Sequence, residues 1–341
     1  MIAAIDRSVY TVVAIGITRD GAMYVHNSLN LCLPLDATGL PFVAPTDQRV
    51  VLSTDPAIRG FLSVNGSELP VELSSVDVAF PVLHGPFGED GTIQGVLEFV
   101  GIPCVGSGVF SSAAAMDKAH MKAMFTAHGI PSCNYTVITD EQWRLNPDAA
   151  LNACESLGFP QFVKPARAGS SIGITKVKDA SALRDAIEVA RLHDPKVIVE
   201  ATVSNMREIE CAVIASADGT LQTSLPSEIE VTGNHEFYDF DAKYLEDSAI
   251  LHVPANLSDS VSSKVRATAL EAFRALDCEG YARCDFFVTE AGDVIVNEVN
   301  TLPGFTQISM FPRMLMATGM TYPEIVSALI ADAVRRGTGL R

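Results

Sequence analysis

The chain has few positive charges and no cluster of them. It contains 24 Lys and Arg against 41 Asp and Glu, so its formal net charge at pH 7 is -17. Proteins that bind nucleic acids neutralise phosphates with clustered Lys and Arg, and the composition therefore argues against such a partner. The sequence also lacks an apolar run long enough for a transmembrane helix, and it lacks a signal-peptide core after Met1. We therefore expect no membrane contact.

Cysteine is sparse, and its spacing forms no known motif. The seven cysteines are an odd number, and none stands in a C-x-x-C pair. This pattern argues against a zinc site or a disulfide framework and is typical of reduced thiols in the cytoplasm. We therefore expect a cytoplasmic protein. Its 341 residues are enough for two or three domains.

Two common nucleotide-binding motifs are also absent. The chain has no Gly-Lys dipeptide, which excludes the Walker P-loop, and no G-x-G-x-x-G. Instead, Lys164 precedes a small-residue loop at 166–173 that lies between two predicted strands. Backbone N–H groups and the hydroxyls of Ser170 and Ser171 could bind phosphate oxygens there. A plain flexible turn has the same composition, so this loop alone leaves both readings open.

The most informative segment is a predicted β-hairpin over residues 281–300. Two runs rich in β-branched and aromatic residues flank a polar turn with Ala-Gly at 291–292. A two-residue tip at this point places Asp285 opposite Glu298. Because strand side chains alternate between faces, both carboxylates lie on one face of the hairpin.

Two carboxylates that face each other across a strand pair need compensation. Directly opposed Cβ atoms are about 5 Å apart, and like charges at that distance are destabilising. A solvated polar face is the simpler explanation, but it does not account for the opposed pair with Asn300 alongside. Carboxylate and amide oxygens are the ligands of Mg²⁺, which keeps part of its shell for substrate phosphates. We therefore interpret Asp285, Glu298 and Asn300 as a magnesium site for a nucleotide.

The amino-terminal region has the pattern of an open α/β sheet. An apolar strand predicted over 76–83 ends at His84, and a polar loop leads to helical spacing at 92–100. Ligands of such sheets gather at the carboxyl ends of strands, although a lone His is more often structural.

Further along, the pattern predicts one helix over 112–128 and a short buried strand over 196–200. Glu200 closes this strand and Glu208 follows, and both positions are commonplace for exposed glutamates. Residues 237–244 lie in a long polar stretch, which is typical either of a lid or of an ordinary surface loop.

Taken in order, these motifs resemble the D-alanine–D-alanine ligase family of the ATP-grasp superfamily. The matching segments are residues 84–98, 106–109, 116–118, 164–173 and 297–306. The resemblance implies an α/β fold with three-domain ATP-grasp architecture. It places an open α/β domain at 1–106, a central subdomain at 107–208 and a carboxyl-terminal subdomain at 209–341, with the nucleotide between the last two.

The resemblance also implies a reaction. ATP phosphorylates the carboxylate of a first D-alanine, and the amine of a second D-alanine attacks the acyl phosphate to give D-alanyl-D-alanine for peptidoglycan synthesis. ATP and two Mg²⁺ (or Mn²⁺) are the implied cofactors, and a homodimer is the implied assembly.

Individual residues take roles from the same resemblance. The implied nucleotide ligands are Lys118, Lys164, Ser170, Ser171, Glu200, Glu208 and Lys243. The implied catalytic residues are His84, Ser170, Tyr244 and Arg283. The residues implied to bind D-alanine are His84, Arg283, Gly304 and Ser309, and those implied to bind metal are Asp285, Glu298 and Asn300.

One departure from the family concerns the start of the chain. Family members begin with a strand, a Gly-rich loop and a helix whose Glu holds the amine of the first D-alanine. Residues 1–10 match only the end of that helix, so we expect roughly twenty residues, one strand, loop and helix, to be missing from this sequence. A mis-assigned start codon is our preferred explanation. The alternatives are a non-catalytic nucleotide-binding remnant and a carboxylate–amine ligase with another substrate.

Overall fold

Three antiparallel β-sheets follow one another along the part of the chain that the structure, a computed structural model, describes. The described residues are 1–26, 33–37, 41–55, 57–66, 68–69, 73, 75–169, 171–231, 249–306 and 309–339. The first sheet has the order β1-β2-β3-β4, and its core includes Val25, Val50 and Leu73. Its strands are β1 (Ala14–Ile17), β2 (Met23–His26), β3 (Arg49–Leu52) and β4 (Phe61–Ser63).

Of the strand-loop-helix unit that the sequence predicts next, the helix is present, but the strand predicted over 76–83 is wrong, because only an isolated bridge at Ala79 forms within it. The Ala79 N–H donates to the Pro103 carbonyl at 2.8 Å, and the Val105 N–H donates to the Ala79 carbonyl at 2.9 Å. These bonds form a parallel bridge on either side of helix α1 (Thr92–Phe99). Parallel pairing around a helix is the unit from which open α/β sheets are built. The loop at 84–90 follows this bridge and precedes α1.

The predicted single helix over 112–128 is wrong, because the chain breaks at Asp117. Helices α2 (Val109–Met116) and α3 (Lys118–Ala127) flank this residue, whose backbone is extended. Its carboxylate accepts hydrogen bonds from the N–H groups of Ala119 and His120 at 3.1 and 3.2 Å. Asp117 is therefore an N-cap. The new start puts the lysines at the first and fifth positions of α3 on one helix face, one turn apart.

The central sheet surrounds the small-residue loop. Its order is β5-β8-β6-β7, and the loop joins β6 to β7 as the sequence predicts. Its strands are β5 (Tyr135–Ile138), β6 (Gln161–Pro165), β7 (Thr175–Val177) and β8 (Val197–Ala201). Helices α4 (Asp140–Leu145) and α5 (Pro147–Glu155), which we did not predict, begin at the capping residues Thr139 and Asn146. Helix α6 (Leu183–Arg191) supplies Leu183 and Ile187 to the core.

The third sheet carries the hairpin and is packed on both faces. Its order is β12-β11-β9-β13-β14, with β10 paired to β9. Its strands are β9 (Met206–Ala215), β10 (Leu221–Thr223), β11 (Ser227–Val231), β12 (Ala249–His252), β13 (Tyr281–Thr289) and β14 (Val294–Asn300). Helices α2, α3 and α7 (Asp259–Ala275) supply the core that contains Cys284 and Phe286. Helices α8 (Met310–Ala317) and α9 (Tyr322–Arg336) supply the core that contains Tyr281 and Phe311.

No single helix among the described residues is long and apolar enough to cross a bilayer. Helices α8 and α9 reach the required length only as a pair, across a bend of 107°. Their apolar side chains, such as Phe311, Met314 and Leu329, are buried in the core against the third sheet. The predicted domain limits at 106 and 208 stay predictions, and the second of them falls inside β9.

The hairpin has a three-residue loop rather than the predicted two-residue tip. The Thr289 N–H donates to the Asp293 carbonyl at 3.0 Å, so residues 290–292 form the loop. Gly292 has φ of +80°, the left-handed conformation that three-residue hairpin loops require near their end. A longer loop shifts the register by one residue close to the turn.

A β-bulge restores the predicted pairing farther from the turn. Phe286 pairs with Val296 while Asp285 pairs with Glu298, so Asn297 is the extra residue on β14. The bulge offsets the additional loop residue. The prediction that Asp285 faces Glu298 is therefore confirmed, although the turn that we used to derive it is wrong.

Candidate active site

Three carboxylates form a row across neighbouring strands of the third sheet. Asp285 on β13 pairs with Glu298 on β14 and, on its other side, with Glu210 on β9. Exposure rises along this row: Glu210 is buried, and the side chains of Asp285 and Glu298 are 15% and 29% exposed. A ligand would therefore approach the row from its Glu298 end.

Arg283 compensates the negative charge at the buried end of the row. Its Nε and Nη2 donate to the two carboxylate oxygens of Asp285, each at 2.7 Å, and its Nε lies 3.0 Å from Glu210 Oε1. Burial alone would lower the pKa of this guanidinium, but the charges of Asp285 and Glu210 outweigh it and raise the pKa well above its ordinary value. Asn300 Nδ2 also donates to Asp285 Oδ2 at 3.0 Å.

Lys118 compensates the negative charge of Glu298 at the exposed end of the row and connects the row to the small-residue loop. Its Nζ donates to the Ala168 carbonyl at 2.7 Å and lies 3.7 Å from Glu298 Oε2. The loop at 166–173 and the acidic hairpin therefore meet at one ammonium group. A phosphate bound at this point would lie between hydrogen-bond donors and carboxylates.

These contacts correct one step of the sequence argument. We inferred that magnesium was needed to remove the repulsion between Asp285 and Glu298. The structure shows that Arg283, Lys118 and the Asn300 amide already do so. The sequence does not reveal this because Arg283 is two residues from Asp285 on the same strand face, where it could equally point toward a substrate.

The row still has the donor chemistry of a magnesium site. Across the described residues, no group of three His, Cys, Asp or Glu side chains is arranged to hold a metal ion. The hairpin offers two carboxylates and an amide, and Mg²⁺ commonly takes one or two carboxylates and completes its shell with phosphate oxygens and water. Asp285, Glu298 and Asn300 therefore fit a cation that arrives together with a nucleotide.

A second charged cluster is buried between α3 and the central sheet. Glu200 accepts a hydrogen bond from Lys164 Nζ at 2.6 Å, and its other oxygen lies 3.1 Å from Lys122 Nζ. Burial would raise the pKa of this carboxyl group, but the two ammonium groups outweigh it and lower the pKa to about 2. Glu200 is therefore ionised at neutral pH.

The predicted adenine and ribose contacts of Glu200 and Glu208 stay predictions. The Glu200 carboxylate is held by two lysines. Glu208 lies on β9, two residues from Glu210 and therefore on the same face of the sheet as the acidic row.

The loop at 84–90 brings two titratable groups toward the row. Burial, and to a smaller degree the charge of Arg283, lowers the pKa of His84, so this imidazole is neutral at pH 7. Glu89 accepts a hydrogen bond from the Gly85 N–H at 2.5 Å. Burial and the nearby Glu298 charge raise the pKa of Glu89, while Arg283 and Lys118 act in the opposite direction.

Gly304 and Ser309 lie next to each other beyond the hairpin. A Cβ at position 304 would be 2.8 Å from Ser309 Oγ, so a larger residue would displace this hydroxyl. Ser309 Oγ accepts a hydrogen bond from the Thr306 N–H at 3.0 Å, and Ser309 is the N-cap of α8. The predicted roles of Ser170, Lys243 and Tyr244 fall on positions outside the described residues.

Sequence reasoning missed Lys122, Glu89 and Glu210. Glu210 gave the clearest signal, because it is the single charge within the apolar run at 209–215 of β9. A charge within a buried strand needs a partner. Glu210 lies on the same face of the sheet as Asp285 of the hairpin, where Arg283 supplies that partner. Lys122 gave no such signal, because a lysine on an amphipathic helix is usually exposed.

Replacing Glu200 tests the buried cluster. Glu200→Gln should lower the free energy of unfolding by about 3–5 kcal/mol, because it leaves two buried ammonium groups without a carboxylate. Urea unfolding followed by the fluorescence of Trp143, the single tryptophan, measures this change.

The difference should also depend on pH. The native pKa of Glu200 is about 2 against an ordinary 4.5, so the wild-type advantage is full above pH 4.5 and shrinks as pH falls toward 2. Glu155→Gln, an exposed change on α5, is the matched control. A difference that does not vary with pH would contradict the ion-pair assignment.

Comparison with family models and known proteins assigns the family. The family model "D-ala D-ala ligase N-terminus" matches residues 1–107, and the model "D-ala D-ala ligase C-terminus" matches residues 124–331. A D-alanine--D-alanine ligase of Streptomyces avermitilis is 46% identical over 349 residues, covering 100% of this chain and 90% of the relative. Its counterpart in Mycobacterium avium is 47% identical over 342 residues, covering 99% and 91%.

Solved structures give the same result. The VanG D-Ala:D-Ser ligase from Enterococcus faecalis has a TM-score of 0.82 at 35% identity, covering 97% of this chain and 92% of that chain. The D-alanine-D-alanine ligase from Coxiella burnetii has a TM-score of 0.79 at 29% identity, covering 98% and 88%. The chain has the ATP-grasp fold of these neighbours. It belongs to the D-alanine–D-alanine ligase family.

Proposed function

We propose that this chain uses ATP to join two D-alanine molecules into D-alanyl-D-alanine for peptidoglycan precursor synthesis. The observation that carries the proposal is the contact of Lys118 with both the small-residue loop and the acidic hairpin. It brings phosphate-binding chemistry and metal-binding chemistry to one point. The 46–48% identity to full-length relatives with this name supports the choice of substrate.

The phosphate side of the reaction depends on positioning and charge. Lys118 and Lys164 would bind phosphate oxygens of ATP, with Ser170, Ser171 and Lys243 around them. Phosphoryl transfer needs little covalent help from the protein, so fixed ammonium groups and backbone donors supply most of what is required. We infer that Asp285, Glu298 and Asn300 hold two Mg²⁺ or Mn²⁺ ions, whose charge neutralises those oxygens.

The amino-acid side would use the groups around Arg283. Phosphorylation turns the carboxylate of the first D-alanine into a good electrophile, which the amine of the second D-alanine attacks with release of phosphate. Arg283, fixed by Asp285 and Glu210, would stabilise the oxyanion of the tetrahedral intermediate. Gly304 and Ser309 would hold the second carboxylate, and neutral His84 would contact the first D-alanine. Tyr244 and Ser170 would orient the attacking amine.

Three further expectations accompany this proposal. We expect a cytoplasmic enzyme, because the seven cysteines are an odd number and form no C-x-x-C pair. We expect a homodimer from the family resemblance. A ligase with another acceptor, such as D-serine, remains the second candidate, because the VanG structure is among the similar ones.

Phosphate release from ATP tests the reaction. Release should require D-alanine, and the product should be D-alanyl-D-alanine by mass spectrometry. Parallel reactions with D-serine or D-lactate beside D-alanine identify a different acceptor. ATP binding without any dipeptide would contradict the proposal in favour of a non-catalytic remnant, and release with L-amino acids only would exclude D-alanine ligation.

A substitution in the hairpin tests the metal assignment. Glu298→Gln should lower turnover by at least about a hundredfold, because it removes charge stabilisation at the transferring phosphate. The melting temperature should change little, since Glu298 is the most exposed member of the row.

Asp293→Asn is the matched control for this substitution. Asp293 lies in the same hairpin, and its carboxylate is 69% exposed and 3.9 Å from Lys264. Its turnover and its Mg²⁺ requirement should equal those of the wild type. Glu298→Gln with wild-type activity at low Mg²⁺ would show that the hairpin does not hold the metal.

A further inference from the structure

Lys122 is a buried lysine that the proposed reaction does not use. It lies on α3 one turn after Lys118, and none of its surface is exposed. Its Nζ is 3.1 Å from Glu200 Oε1 and makes a longer contact of 3.5 Å with the Asn297 carbonyl. Burying an ammonium group is costly, so the fold retains this lysine despite a desolvation penalty.

The charge of the buried cluster suggests what Lys122 does. Glu200 carries one negative charge, while Lys122 and Lys164 each carry one positive charge. With both lysines the cluster has one excess positive charge. Without Lys122, Glu200 would neutralise Lys164. Lys164, which borders the proposed nucleotide site, would then present no net positive charge to an anion.

The position of Lys122 indicates that it pairs with Glu200, while Lys164 is the lysine that a ligand could reach. Its own ammonium has no access to a ligand, whereas Lys164 retains slight exposure at the end of β6. Its contact with Asn297 reaches the β-bulge that sets the register between Asp285 and Glu298. One side chain on α3 thus contacts both the phosphate-side cluster and the metal-side hairpin.

We propose that Lys122 is a positioning residue that neutralises Glu200 and so leaves the charge of Lys164 available to the phosphates of ATP. This inference rests on the proposed nucleotide site and deepens it. It predicts that Lys122 contributes to the binding of charged nucleotides and not to the binding of the nucleoside.

Calorimetric titration with ATP, ADP and adenosine tests the proposal without any catalytic step. Lys122→Met should weaken ATP and ADP binding by about tenfold, the effect of one unit charge at close range in a partly buried site. Adenosine binding should stay unchanged. Lys264→Met, which removes an exposed lysine on α7, is the matched control for overall charge and should leave the ratio of ATP to adenosine affinity unchanged.

A double variant separates charge from shape. Lys122→Met combined with Glu200→Gln removes one charge of each sign, so the cluster again has one excess positive charge. The ratio of ATP to adenosine affinity should return toward the wild-type value even if Glu200→Gln changes adenosine binding itself. A purely structural role for Lys122 predicts no such recovery. If Lys122→Met does not fold, Lys122→Gln, which keeps a donor for Glu200, replaces it.

Two outcomes would overturn the inference alone, and a third would overturn the proposed nucleotide site as well. An unchanged affinity ratio in Lys122→Met, or no recovery in the double variant, contradicts the role of Lys122 while the proposed function stands. A wild-type chain that binds ATP no more tightly than adenosine would overturn the nucleotide site and this inference together.

Discussion

The guanidinium of Arg283 lies between Glu210 and Asp285, and the arrangement of the site follows from this contact. Three carboxylates on adjacent strands would repel each other at about 5 Å. Arg283 neutralises the buried end of the row, and Lys118 approaches Glu298 at its open end. The sheet can therefore carry the row as part of its folded structure, and the same carboxylates stay available at the edge where a charged substrate arrives.

The local part of the site could be predicted from sequence. Strand side chains alternate, so two facing runs fix which residues share a face as soon as the register is known. The predicted pairing of Asp285 with Glu298 was correct for a reason that the sequence did not show. The three-residue loop shifts the pairing by one residue, and the bulge at Asn297 shifts it back. The order of the motifs then led to the correct family.

The non-local part of the site could not be predicted in this way. Lys122 and Asn297 are 175 residues apart, and only the folded chain brings α3 against β14. The break at Asp117 was missed for a local reason, because an Asp inside a helical pattern has the same sequence signature whether it caps a new helix or continues the old one. Arg283 had been assigned to a substrate, although its nearest partners are the acids of its own sheet.

Manganese binding, measured by electron paramagnetic resonance, tests most directly whether protein cations compensate the acidic row. If Arg283 and Lys118 already pair with these acids, Mn²⁺ should bind weakly to the nucleotide-free protein and much more tightly once ADP supplies phosphate oxygens. Manganese that binds equally tightly with and without ADP, and is released by Glu298→Gln, would show that the row is an intrinsic metal site and would contradict the account.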